Sequence, residues 1–223
     1  MTKNVFSFAF LVCVISLAGL GNVFAQALDI SSGGAPTITG AVGGSVTGSA
    51  SVLNNLVVTI NFGEISPSNT NSIVKVTVPI TVRSNQAYKV TATYSGAINA
   101  NAQALQKSDI GFGLRNWRAM GSNSRVCNNS SHIFYSPFSN DPASSVSINP
   151  TTGRVQYVSD LADVTTNTTI LSGPRLSNGG NARATNDGYI FDAIFTITPQ
   201  FYAAGTTSAT ITFTISAGPS APC

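Results

Sequence analysis

The residues best suited to recognition chemistry lie in an irregular stretch, residues 115–141. It brings together arginines and large aromatic side chains, and the candidate binding residues are Arg115, Trp117, Arg118 and Tyr135. Aromatic rings offer flat amphipathic faces, and guanidinium groups offer fixed hydrogen-bond forks. On a loop, this mixture is typical of sugar or protein recognition. The alternative is that Trp117 packs beneath its own loop as a small satellite core, with solvated arginines around it.

Catalytic chemistry has few candidate residues in this chain. His132 is the single histidine, and it follows Ser131 within the same irregular stretch. A Ser–His pair needs an orienting acid and an oxyanion hole, and the sequence contains no nucleophile-elbow pattern. We therefore expect His132 to be an ordinary loop side chain and the protein not to be an enzyme.

Metal and cofactor sites are not indicated either. Asp160 and Asp163 are close enough in sequence to share a Ca²⁺ ion, but the other acids are scattered. A calcium cage needs about six oxygen ligands, and no EF-hand loop is present. One histidine and two distant cysteines do not form a zinc ligand set. The sequence predicts no metal and no cofactor.

The first 25 residues have the pattern of a secretory signal peptide. Lys3 precedes a long apolar run, and small-residue cleavage sites follow at Ala25 and Ala27. The alternative, a retained membrane anchor, would need about 20 apolar residues. We expect cleavage, no membrane span in the mature chain, and a secreted or cell-surface location, reached through the periplasm in a Gram-negative host.

Cysteine usage is consistent with export. Cys13 lies in the apolar run, so the mature chain would keep Cys127 and Cys223. A disulfide between them would contribute about 4–5 kcal/mol through loop entropy. Two unpaired thiols, the alternative, are uncommon in an oxidising compartment. We expect the bond, although sequence alone does not show whether the two sulfur atoms meet.

Charge and composition point away from nucleic acid. Charged residues make up 9% of the chain and the formal net charge is +3, with no basic tract. The surface must therefore be built largely from Ser, Thr, Asn and Gly. Such a surface suits self-association or contact with neutral polymers.

The rest of the chain is organised as short strands. Residues 208–215 alternate apolar and hydroxyl side chains, with Phe213 on the apolar face and Thr212 on the polar one. Similar alternation recurs from residue 56 onward, separated by turns rich in Gly, Pro, Asn and Ser. This pattern predicts one all-β antiparallel sandwich over residues 51–223. Residues 115–141 and 160–186 are predicted to be long loop insertions.

Residues 26–50 form a Gly/Ser/Thr-rich N-terminal arm with a weaker alternation. One face carries small or β-branched apolar residues between glycines, namely Ile38, Val42, Val46 and Val52. These side chains are too few to anchor a sheet alone. The arm is therefore either an ordinary edge strand or a segment that inserts into another molecule.

Two parts of the sequence carry a resemblance to a known family. Ile60-Asn61-Phe62-Gly63 leads through a Val-rich strand to Ala87-Tyr88-Lys89-Val90-Thr91-Ala92, and Pro199-Gln200 precedes the final alternating strand. These features are similar to spore coat protein U and related chaperone–usher fimbrial subunits, over residues 56–94 and 189–215. The resemblance implies an immunoglobulin-like (pilin-like) β-sandwich.

The resemblance also implies assembly by strand donation, in which the arm completes a neighbour's sheet. The leading expectation is thus a non-enzymatic subunit of a bacterial surface fibre or coat. Its partners would be other fibre subunits, and a periplasmic chaperone and outer-membrane usher. The alternative is a monomeric secreted module that binds a carbohydrate or matrix polymer through the Trp117 loop. Strand donation requires residues 37–52 to be free to leave their own domain, whereas a monomeric module requires them to be docked or dispensable.

Overall fold

The computed structural model describes residues 28–41, 43–52, 54–68, 72–96, 99–121, 131–177 and 187–219. The predicted signal peptide and both cysteines of the predicted disulfide, Cys127 and Cys223, lie outside these ranges. Within them the chain forms strands, with short 3-10 turns at Lys107–Asp109 and Pro142–Ser144. The strands are β1 (Leu28–Ser32), β2 (Thr37–Thr39), β3 (Ser45–Val52), β4 (Asn55–Asn61), β5 (Val74–Ser84), β6 (Tyr88–Tyr94), β7 (Gly111–Met120), β8 (Ile133–Phe134), β9 (Val146–Ile148), β10 (Val155–Tyr157), β11 (Thr168–Gly173), β12 (Gly188–Ile197) and β13 (Ser208–Ala217).

The strands form two main antiparallel sheets, as the sequence predicts. A five-stranded sheet has the order β1-β5-β12-β7, with β2 also paired to β5. A six-stranded sheet has the order β3-β4-β13-β6-β11-β8, and β9 and β10 form a separate hairpin. The prediction of an all-β antiparallel fold is confirmed. No helix in the described ranges has the length and apolar character needed to cross a membrane.

The core lies between the two main sheets. In β13, Phe213 is fully buried whereas Thr212 is only partly buried, so the two faces are assigned as the sequence predicts. Across the core, Phe213 meets Phe112 of the other sheet with ring centroids 6.4 Å apart, and Phe112 stacks on Phe195 at 5.1 Å. Strands of both sheets contribute to one continuous apolar cluster. The alternation in the sequence thus translates directly into one shared core.

The N-terminal arm is paired with its own sandwich. β1 and β2 lie along one side of β5, and β3 extends the six-stranded sheet beside β4. Ile30 is fully buried, and Asp29, only 3% exposed, accepts a 3.1 Å hydrogen bond from Arg83. Gly40 has a φ of 77°, and a Cβ atom there would lie 2.4 Å from the carbonyl oxygen of Ile73. The arm therefore fits closely against its own chain.

Of the four donor-strand candidates, Ile38 and Val46 are partly buried against the core. Val42 lies outside the described residues, as does the side chain of Val52. The sequence left two alternatives for this segment, an ordinary edge strand or an arm that inserts into another molecule. In this structure its strands lie at the edges of their own sheets.

Pro79 shows how the arm and β5 are matched. β1 pairs with residues 80–84 of β5 and β2 with residues 75–77, so Pro79 faces the gap between them. Its carbonyl accepts a 2.8 Å hydrogen bond from the Gly33 N–H across that gap. Because the N–H and C=O of one strand residue point to the same side, the N–H that proline lacks is not needed by β12.

The two predicted loop insertions contain strands that the sequence pattern did not reveal. β7 continues through Met120 into the first predicted insertion, and β11 lies within the second. β11 pairs with β6 through a register shift between Thr169 and Leu171, which breaks the alternation that would identify a strand. Residues 138 and 159–161 bond to the outer edge of β7 and cover it.

Candidate functional site

A β-bulge positions the predicted binding residues of β7. Arg115 faces Asp192 of β12, but Arg118 faces Ile190, so Asn116 and Trp117 together oppose the single residue Phe191. Asn116 has a φ of 59°, in the left-handed region that Asn tolerates better than most residues. The bulge re-aims the side chains, because Trp117 packs against the core while Arg115 and Arg118 remain exposed. The prediction that this segment is an irregular loop is therefore wrong for residues 115–120.

Trp117 is enclosed by aromatic side chains of its own chain. Its ring stacks on Phe134 at a centroid distance of 4.2 Å and an interplanar angle of 29°. It also lies 5.3 Å from His132, 5.4 Å from Phe191 and 5.9 Å from Tyr189. Tyr189 and Phe191 belong to the core between the two main sheets, so this arrangement packs Trp117 against that core. His132 packs on Tyr189 at 4.2 Å within the same cluster.

The remaining predicted binding residues do not converge with Trp117. Arg118 donates a 3.2 Å hydrogen bond to the buried carboxylate of Asp192, which also accepts a 2.9 Å bond from Asn116. Arg115 is exposed and forms no ion pair within the described part of the chain. Tyr135 is 36% exposed and places its hydroxyl 3.4 Å from Ser172 of the six-stranded sheet. The exposed arginines thus lie on the side of β7 away from the Trp117 ring.

The structure instead forms a groove at one end of the sandwich, where four loops meet. This end groove has a volume of about 660 Å³ and opens beside a smaller pocket of about 250 Å³. Gln200 and Tyr202 line both cavities. The end groove is lined by Pro67, Gln103, Thr152, Gly153, Arg154, Pro199, Gln200, Phe201 and Tyr202.

Phe201 projects from the rim of the end groove and is 80% exposed. The chain is tied down on both sides of it: the Gln200 side chain donates to the Gly153 carbonyl at 3.3 Å, and two residues after Phe201 the Ala203 N–H donates to the Gln103 carbonyl at 3.0 Å. The Tyr202 N–H closes a turn onto the Gln200 carbonyl at 3.0 Å. An anchored loop therefore holds Phe201 in solvent, where a partner can cover it.

Arg154 forms one wall of the end groove and is held from behind by Asp109, which is 1% exposed. Its Nε donates to Asp109 Oδ1 at 2.9 Å, and its Nη2 donates to Asp109 Oδ2. The hydrogen bond to Asp109 raises the pKa of Arg154. The guanidinium also lies 5.7 Å from the ring of Tyr202, whose pKa is raised chiefly by burial. This ion pair, with Asp109 buried and Arg154 partly exposed, links the β9–β10 hairpin to the segment that precedes β7.

The sequence contained one signal for this site. Phe201 and Tyr202 are adjacent aromatics that follow Pro199 in the connection between the last two strands, outside any alternating pattern. Their exposure depends on loops near residues 67, 103 and 153, which are far away in sequence. The sequence therefore shows the two aromatic residues, but it does not show that these distant loops meet around them.

A metal site is absent from the described residues, where no three His, Cys, Asp or Glu side chains gather around one point. Asp160 and Asp163, the considered calcium ligands, instead cap a turn by accepting backbone N–H groups at 2.7 and 3.0 Å. Burial, as the largest cause, raises the pKa of Asp160 to about 6.

Comparisons of the chain with protein families, curated proteins and solved structures found no match.

Proposed function

We propose that this protein is an exported, non-enzymatic recognition module that binds its ligand in the end groove. The observation that carries the proposal is Phe201, which is 80% exposed on a loop anchored at both sides. A large ring held in water forgoes about 1.5–3 kcal/mol of burial, which a ligand can recover. The secretory pattern of the first 25 residues supports export.

The geometry of the N-terminal arm also supports a self-contained module. Its strands pair with both sheets of their own sandwich, with Ile30 fully buried and β3 paired along β4 through one register shift between Thr47 and Ser49. A domain that is complete on its own can present its end loops without a partner subunit. Loops at the end of a β-sandwich are a common place for recognition.

Binding of the mature chain to insoluble polymers tests this proposal. Cellulose and chitin would represent polysaccharides, and collagen and gelatin would represent matrix proteins. We expect retention on at least one polymer and about a tenfold loss in Phe201→Ala. Arg115→Ala is the matched control, because Arg115 is exposed but lies outside the groove, and it should bind as the parent does. Equal retention of the parent and Phe201→Ala, or no retention on any polymer, would contradict the proposal.

A second candidate function is that of a subunit of a surface fibre or coat. Its specific support is that β1, β2 and β3 all lie at sheet edges, so exchanging them between copies would disturb no central strand. Fibre subunits, a periplasmic chaperone and an outer-membrane usher would then be the partners. We expect Val42→Asp to leave the domain folded and to abolish assembly if this candidate is correct. Size-exclusion chromatography of both proteins decides it: unchanged multimers in Val42→Asp would exclude donation by this arm.

A further inference from the structure

We infer that the ligand of the end groove is a neutral polysaccharide chain, with one sugar ring stacked on Phe201. This inference rests on the proposed function, because it assigns a ligand class to the same site. It follows from three properties of the groove: its charge, the hydrogen-bonding groups on its walls and its shape.

The charge of the groove excludes an acidic ligand. Of the residues that line it, Arg154 alone is charged. A guanidinium has five N–H donors, and Arg154 uses four of them: one each to Asp109 Oδ1, Asp109 Oδ2, Ala102 O and Ala104 O. Its positive charge is matched by the buried Asp109 carboxylate. The groove therefore offers no free cationic fork to a phosphate, sulfate or carboxylate group.

The hydrogen-bonding groups of the groove match hydroxyl-rich ligands. Gln103 is exposed, and its side-chain amide forms no hydrogen bond with the described residues. The Gln200 amide donates one 3.3 Å bond to Gly153 and keeps its oxygen available. The Thr152 hydroxyl oxygen accepts a 3.3 Å hydrogen bond from the backbone N–H of Arg154, which leaves the hydroxyl proton to donate to a ligand. Amides and hydroxyls that both donate and accept suit sugar hydroxyls, which also do both.

The aromatic ring and the shape of the site complete the argument. Phe201 offers a flat apolar face at the rim, suited to the C–H face of a sugar ring. The end groove adjoins the smaller pocket, and Gln200 and Tyr202 line both. The smaller pocket is also lined by Glu64, so the charged groups of the combined site are this acid and the paired Arg154, and neither favours an anionic ligand. Two adjoining cavities beside one exposed ring favour a chain of sugars over a single small molecule. An apolar peptide would instead need a mainly apolar groove.

Isothermal titration of the mature chain tests the ligand class directly. The probes are the neutral hexasaccharides of cellulose, chitin and laminarin, an oligogalacturonate as the anionic sugar, and a gelatin peptide. We expect at least one neutral hexasaccharide to bind, with a Kd that changes by less than about twofold between roughly 50 and 500 mM NaCl. Phe201→Ala should weaken binding about tenfold, whereas Phe201→Tyr, which keeps the ring, should remain within about threefold. Arg115→Ala should bind as the parent does.

The outcomes separate this inference from the proposed function. Phe201-dependent binding of gelatin peptide or oligogalacturonate, with no neutral sugar bound, would overturn the ligand class and leave the groove as the recognition site. Binding of a neutral sugar that is equally strong in Phe201→Ala would overturn both the stacking role of Phe201 and the proposed function, which depends on that residue. If no probe binds in a Phe201-dependent manner, both the inference and the proposed function fail.

Discussion

Two aromatic regions of this molecule differ in whether the chain covers the ring. Trp117 lies among Phe134, Phe191, Tyr189 and His132, with the stacking ring of Phe134 only 4.2 Å away. Phe201 is 80% exposed, although Gln200 before it and Ala203 after it are hydrogen-bonded to neighbouring loops. The difference teaches that a large aromatic in a polar stretch becomes a binding candidate only when its own chain leaves it uncovered.

The two regions also contain one arginine each that forms an ion pair with a buried aspartate. Arg118 and Arg154 both bond to buried aspartates, yet only Arg154 lies in the wall of a groove. In each case the aspartate carboxylate balances the positive charge of the guanidinium, so little net charge remains to attract an anionic ligand. We therefore treat both arginines as structural groups rather than ligand-binding ones.

The largest expected difference between the Trp117 and Phe201 regions is in stability. Trp117→Ala removes a ring packed against four others, and we expect it to lower the free energy of unfolding by about 3 kcal/mol, the lower end of the range for large aromatics because Trp117 is only partly buried. Phe201→Ala should change it by less than about 0.5 kcal/mol. Urea unfolding followed by far-UV circular dichroism measures both. Similar losses in the two variants would mean that Phe201 is also part of the core.

A smaller loss of stability is expected when the wall of the groove is undermined. Arg154→Ala leaves Asp109 buried without its partner, and we expect a cost of about 2–3 kcal/mol, below the range for fully buried pairs because Arg154 is partly exposed. The double variant Arg154→Ala/Asp109→Asn should recover part of this loss of stability, because it no longer buries an unpaired carboxylate charge. A thermal melt with no change in Arg154→Ala would contradict the role assigned to this pair.

The arginines beside Trp117 should show a still smaller difference. Arg118 pairs with buried Asp192 but is 45% exposed in its side chain, so Arg118→Ala should cost about 1 kcal/mol. Arg115→Ala serves as its matched control, with an expected change below about 0.5 kcal/mol. Chemical denaturation of both proteins side by side checks this. A loss of polymer binding in either variant, with stability retained, would restore the Trp117 region as a site.

The smallest expected effect is on the pH dependence of binding. The hydrogen bond to Asp109 raises the pKa of Arg154, and burial raises that of Tyr202, so neither gains or loses a proton between about pH 6 and pH 9. We expect the Kd for a groove ligand to vary less than about twofold across that range. Isothermal titrations at several pH values check this, and a Kd that changes more than about tenfold across the range would mean that the ligand contacts a titrating group outside the end groove.

The fold was largely predictable because strand alternation is local information. The pattern of residues 208–215 correctly placed Phe213 inside and Thr212 outside, and the all-β antiparallel fold followed from repeats of that pattern. The bulge at Asn116 was not predictable, because it exists only in the register between β7 and β12. β11 was missed for the same kind of reason, since its register shift hides the alternation.

The candidate site was predictable only in its residue types. An arginine- and aromatic-rich stretch indicated Trp117, but the ring that stacks on it comes from Phe134 of β8, a strand of the other main sheet. The sequence did not identify Phe201 as a candidate binding residue, because the exposure of its ring depends on which other loops reach the same end of the sandwich. The arm left two alternatives open for a related reason: only the pairing with β4 and β5 shows which sheet edges it covers.

Amide chemical-shift mapping of the isotope-labelled protein shows which of the two regions contacts the ligand. The titrant is the strongest-binding hexasaccharide or soluble polymer fragment from the binding panels. We predict the largest shifts at Thr152, Arg154 and residues 200–203, which line or flank the end groove. Residues 115–118 should shift little, since the Trp117 ring is already covered by its own chain. The reverse pattern, with shifts at residues 115–118 and none at 200–203, would contradict the account.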